Sequence, residues 1–75
     1  MQLLPIASNQ NQLNLNDGTQ VFFSYKTPVA AYVPELGYVR TVKKWSTTTS
    51  RHINKWLQGI NAKEIDQQFL YDLVG

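Results

Sequence analysis

Seventy-five residues with a formal net charge of +2 make one domain at most, since independent domains usually run to about 100–150 residues. The absence of cysteine excludes disulfides and thiolate zinc sites, so the core rests on packing, and nine aromatic residues supply much of its apolar area. No stretch approaches the ~20 apolar residues of a membrane span, so a soluble protein with no membrane partner is expected, and the lack of cysteine fits a reducing cytosol.

Residues 1–11 read as a short leading arm. The opening Met1 to Ala7 fails as a signal segment: it has no basic residue, Pro5 interrupts its apolar run, and Ser8-Asn9-Gln10 closes it. Leu13-Asn14-Leu15 alternates, and Asn16-Asp17-Gly18-Thr19 follows. Asp-Gly between two alternating runs predicts a type I′ hairpin, with positive φ at both central residues. The returning strand is Gln20 to Lys26, with Val21, Phe23 and Tyr25 on one face and Phe22 and Ser24 on the other. Thr27-Pro28 is expected to end it, because proline has no N–H for the ladder.

Val29 to Val33 predicts a third strand and Tyr38 to Val42 a fourth. Pro34-Glu35-Leu36-Gly37 between them suits a type I turn with a glycine bulge. Residues 12–42 thus form an antiparallel meander solvated on one face. The period then changes. Ile53, Trp56, Leu57 and Ile60 recur at helical spacing, five hydroxyl residues from Ser46 to Ser50 offer N-caps, and Gly59 is placed for the left-handed residue past the end. The pattern predicts a helix over about residues 49–58. The following Ala62-Lys63-Glu64-Ile65 is either extended or helical. A last helix capped by Asp66 and running through Phe69, Leu70, Leu73 and Val74 gives the tighter apolar stripe. The fold expected is therefore α+β: about four antiparallel strands, one main helix packed on the sheet, and a short C-terminal helix, the helical part spanning 48–74.

Two segments carry the resemblance of this chain to other proteins: Gly18 to Tyr32 (GTQVFFSYKTPVAAY) and Ser46 to Leu57 (STTTSRHINKWL). Over about residues 18–60 the sequence resembles small uncharacterised tailed-phage proteins, cyanophage ones among them. The resemblance implies a viral setting in a host cytosol, and it brings no activity, cofactor or site residue with it.

Six of the seven basic residues lie between Glu35 and Glu64, where there is no acid: Arg40, Lys43, Lys44, Arg51, Lys55 and Lys63. A like-signed surface attracts nucleic-acid backbone or an acidic protein face. Arg51 and Lys55 share a helix face at i and i+4, and Lys43 and Lys44 sit beside Trp45 in the strand-to-helix connection. The band expected joins Arg40, Lys43, Lys44, Arg51 and Lys55 for charge, Thr48, Thr49 and Ser50 for hydroxyl or N–H contacts at the helix start, and Trp45 as a platform for an unpaired base. Catalysis has no such constellation. The single histidine, His52, stands within a helical turn of Thr48 and Thr49, but hydroxyls there read as caps. One histidine and no cysteine leave only scattered carboxylates for a metal, and no glycine-rich phosphate loop occurs. The expectation is a non-enzymatic binding module with no cofactor, metal or catalytic residue. Its partner is nucleic acid, or alternatively an acidic host-protein surface bound as an inhibitor or adaptor. A small structural subunit and a homodimer also remain open.

Overall fold

The chain runs through five consecutive antiparallel strands: β1 (Gln2–Ala7), β2 (Gln10–Asn14), β3 (Gln20–Ser24), β4 (Thr27–Val33) and β5 (Gly37–Thr41). Helix α1 (Thr47–Leu57) then crosses back over the sheet, β6 (Lys63–Ile65) pairs with β5 in parallel, and α2 (Gln67–Val74) follows. The computed structural model describes residues 2–75. Its sheet has six strands in sequence order, so the fold is α+β with a mixed sheet, not the four-stranded antiparallel meander expected from the alternation alone. Among the described residues no helix is long and apolar enough to cross a membrane.

The two additional strands lie where alternation is weakest. The expected leading arm is β1 and the start of β2, its register running from Gln2 opposite Asn14 to Ala7 opposite Gln10; Met1 lies outside the described residues. Strand β1 shows little alternation because it is an exposed edge carrying Pro5 and a bulge between Pro5 and Ala7, devices that blunt an edge against further pairing. Strand β6 has three residues, two of them charged. Its parallel pairing depends on α1 returning the chain to the same end of the sheet.

Two turns differ from the expectation, and a third, the type I turn with a glycine bulge at Pro34, is formed as expected. At Asp17-Gly18 only Gly18 is left-handed, at φ +92°, and the loop is closed by Leu15 N–H to Thr19 O at 2.8 Å and Gly18 N–H to Leu15 O at 3.3 Å. That is a three-residue loop with a glycine bulge rather than a type I′ turn, favoured because Asp17 Oδ1 accepts the Thr19 N–H at 3.0 Å. The Thr19 backbone N–H first, then its hydroxyl, holds the Asp17 carboxyl below the usual carboxylate range. Thr27-Pro28 does not terminate a strand: Ser24 pairs with Thr27 across a tight turn, and Pro28 sits inside β4 opposite Phe23. A bulge makes room for it, because the register shifts between Phe22 and Phe23. The turn itself leaves Tyr25 left-handed at φ +58°, a conformation costing a non-glycine residue about 1–2 kcal/mol; its N–H is held by Asn9 O at 2.7 Å. At Pro34 the turn closes through Leu36 N–H to Val33 O at 2.9 Å, and Gly37 follows at φ +84°.

The sheet is covered on both faces, so neither is the solvated face that was expected. On one, Ile53 and Leu57 of α1 pack on Phe22, Val29 and Ala30. The β4 bulge lets the consecutive residues Val29 and Ala30 point to the same side, against the strand period. On the other face, Leu70 of α2 packs on the cross-strand row Val21, Ala31 and Val39, flanked by Leu13, Phe23, Phe69 and Leu73. Helix α1 begins two residues before the expected Thr49, with Ser46 Oγ accepting the Thr49 N–H at 3.2 Å. Its C-cap is Gln58, itself left-handed, and Gly59 follows just past the end at φ +82°, the position expected for it. Ile60 consequently lies beyond the helix and is exposed. Asp66 takes the N-cap position of α2 as expected, without a side-chain cap bond, and residues 63–65 before it are extended.

Candidate nucleic-acid interface

Strand β5 and the first turns of α1 form the walls of a groove, and the connection between them closes one end. Its volume is about 350 Å³, and Arg40, Lys43, Lys44, Trp45, Thr47, Ser50 and Glu64 are among the residues lining it. The register explains the strand side. Arg40 lies two residues from Tyr38 on the α1 face of β5, and Glu64 is its Cα partner across the parallel pair. The Arg40 guanidinium donates from Nη1 to Asn54 Oδ1 of α1 at 3.2 Å, which fixes its approach to the groove. Lys43 and Lys44 are exposed, and the Thr41 hydroxyl accepts the Lys43 N–H at 3.1 Å, turning the connection sharply as it leaves the sheet.

The helix start adds positive potential. No acidic residue occupies the first turn of α1, so the partial charge on its unpaired N–H groups is not offset there. Ser46 Oγ takes the Thr49 N–H, and Thr47, at the first helical position, lines the groove. Three cations and a helix N-terminus against the single carboxylate of Glu64 leave the groove net positive.

Not every expected residue is present. Lys55 is exposed on a different groove beside Trp56, and Arg51 and Thr48, both exposed, are not part of the wall. The expected band is thus divided by the turn of α1, because Arg51 and Lys55 share a helix face with each other and not with the β5 side. Thr49 is buried, bonded to Ser46 and Ser24, and lines a different, smaller pocket beside Trp45. Trp45 is half-buried and anchored: its Nε1–H donates to Gln67 Oε1 at 3.3 Å, and Gln67 Nε2 donates to Pro28 O at 2.7 Å. The Lys43 ammonium stands 4.4 Å from the ring centroid, a cation–π contact. The expected stacking platform therefore already carries a cation on one face.

His52 has a partner that its sequence neighbours did not suggest. Ser24 Oγ, from β3, lies 2.7 Å from His52 Nδ1 and 3.2 Å from Thr49 Oγ1. Ser46 Oγ donates to Thr49 Oγ1 at 3.3 Å. The Ser24–Thr49 bond can run in either direction, and which partner donates between Ser24 and His52 is set by the tautomer of the ring. Among the described residues no carboxylate bonds to the ring, and Ser24 is 2% exposed. What the network does is tie the start of α1 to β3. Thr47, Glu64 and Ser24 were missed from the sequence; only the 28-residue separation of Ser24 and His52 closing in space brings the last into view.

A family model matches residues 1–72. The chain belongs to DUF8033, a family of unknown function. No curated protein and no solved structure matches it. The DUF8033 match spans every residue of the cationic groove.

Proposed function

We propose that this protein is a non-enzymatic binding module whose groove between β5 and the start of α1 takes nucleic-acid backbone. The observation that carries the reading is the convergence of Arg40, Lys43 and Lys44 on the groove that also receives the un-neutralised N-terminus of α1. Phosphate suits that donor set: lysine and arginine supply charge, and hydroxyl and backbone N–H groups supply directed bonds. Thr47 and Ser50 are the hydroxyls on the wall. The resemblance to small tailed-phage proteins supports a viral setting for this binding.

A protein partner has one observation in its favour, the edge strand β1 with Leu3 and Ile6 exposed at 61% and 46%. Pro5 and the adjacent bulge work against strand addition there, which ranks that reading second. Fluorescence anisotropy with single- and double-stranded oligonucleotides across a salt series tests the first. Replacing Lys43 and Lys44 by alanine should lower the log–log salt slope for single strands by about 1.4, at about 0.7 per phosphate contact. Arg51→Ala, outside the groove, should leave the slope within error. No binding at about 50 mM salt, where electrostatic contacts are strong, overturns the reading.

A further inference from the structure

Trp45 borders two cavities. One is the cationic groove; the other, of about 230 Å³, lies between the connection into α1 and the tight turn from β3 to β4. Tyr25, Thr27, Trp45 and Ser46 line its upper part, and the buried Ser24 and Thr49 close it below. The fold explains why residues so far apart meet there. Ser24 pairs with Thr27, which leaves Tyr25 on the tip of the turn. The 3.2 Å contact of Ser24 Oγ with Thr49 Oγ1 then brings that tip against the start of α1.

The two aromatic residues are held, and they are held apart. Tyr25 is left-handed at φ +58°, a conformation that glycine or asparagine adopts with less strain. Its ring is 48% exposed and lies 5.9 Å from the His52 ring, between centroids. Strain of this kind, kept in place by partners on other elements, is found where a side chain is being positioned for contact. Trp45 is fixed by its indole bond to Gln67. Lys43, the cation over its ring, lines the cationic groove and not this pocket, so the pocket side of Trp45 is free of the ammonium. Tyr25 and Trp45 make no ring contact with each other, and the pocket is the space between them. The Thr27 hydroxyl bonds to no other described residue, and no buried side-chain polar atom among those residues lacks a partner. That hydroxyl is therefore open to a ligand.

We infer that this pocket receives one unstacked base of a single-stranded nucleic acid, between Tyr25 and Trp45, with the backbone of the same strand in the cationic groove. Aromatic rings stack on any base, because every base has a π-face. A threonine hydroxyl both donates and accepts, so it suits any base edge. The site is accordingly one for single strands of any sequence. Trp45 is the shared wall that lets a nucleotide keep its phosphate beside Lys43 and Lys44 and its base in the pocket. The inference deepens the backbone-binding reading and rests on it for the strand, though not for the base.

The test compares an oligothymidine strand with an abasic strand of equal length. The expected result is about tenfold tighter binding of the oligothymidine. Tyr25→Asn removes the ring and keeps a residue that tolerates positive φ; it should bring the oligothymidine close to the abasic affinity and leave the salt slope unchanged. Equal affinity of the unmodified protein for the two strands, or a difference that survives Tyr25→Asn, overturns the base site and leaves backbone binding standing. If neither strand binds at about 50 mM salt, where electrostatic contacts are strong, the backbone reading falls. The base site is then decided by titrating the unmodified protein with free thymidine: shifted NMR resonances of the Tyr25 and Trp45 rings keep it, and unshifted ones overturn it.

Discussion

At the scale of single residues, the side chains that matter most are those whose partners come from far along the chain. Ser24 is buried and serves both Thr49 and His52. Ser24→Ala should cost about 1–3 kcal/mol in urea denaturation, because it strands buried polar groups instead of merely deleting one bond. A loss below about 0.5 kcal/mol, the level of an ordinary surface change, would show that the network does not hold α1 to the sheet. Asp17 acts locally, and its sign is opposite to that of a raised base. Its folded carboxyl sits below the ordinary range, chiefly through the Thr19 N–H. It therefore supports the folded state at pH values above the unfolded carboxylate range, and that support is lost as pH falls through the depressed folded value. A carbon-detected NMR titration of the Asp17 carboxyl should give a midpoint below that of an unstructured aspartate, and Thr19→Pro, which removes the N–H, should raise it. Asp17-Gly18 was legible in the sequence as a turn. Its type was not, because the bond from Thr19 to Asp17 selects the turn geometry and composition does not encode that choice.

Individual elements were legible in proportion to how much of their pattern is local. The apolar residues of α1 recur at the helical period, and the structure buries Ile53 and Leu57 of that stripe. Its cap was one of five hydroxyl residues in a row, and Ser46 takes the position because its oxygen reaches the Thr49 N–H. Ser46→Ala should destabilise the protein by about 1 kcal/mol, read as a lower urea midpoint with an unchanged m-value; an unchanged midpoint would mean that another of the hydroxyls takes over. Strands β1 and β6 were not legible. One is an edge with a proline, and the other is three residues long and held only by its neighbour. Pro28 misled for a related reason: proline is excluded from regular ladders, but the β4 bulge accommodates it inside a central strand.

For the molecule as a whole, stability depends on covering both faces of one sheet with very few residues. A domain of this length has a total stability of about 4–11 kcal/mol at roughly 0.05–0.15 kcal/mol per residue. Leu70 is wholly buried and is the α2 residue at the centre of the second core. Leu70→Ala should cost about 2–5 kcal/mol and lower Tm by about 10 °C or more, and the variant should bind a dye specific for exposed apolar surface. A shift of only a few degrees would mean that α2 is a dispensable cover. The same two-faced arrangement keeps α1 and the cationic groove on one side and α2 on the other, so a lesion at Leu70 should lower stability while leaving intact, in the fraction that remains folded, the positions of Arg40, Lys43 and Lys44.

The sequence by itself determined the existence and order of the inner strands, the apolar stripe of α1, the Asp66 start of α2 and the concentration of positive charge between Glu35 and Glu64. These depend on spacing along a few residues, which a period of two or of 3.6 exposes directly. Only the tertiary structure decided that the sheet is mixed and that its two faces carry separate cores. It also decided that Arg40, Lys43 and Lys44 share a groove while Arg51 and Lys55 do not. Each of those depends on where α1 lies across the strands, a rotation and a register fixed by packing between residues distant in the chain.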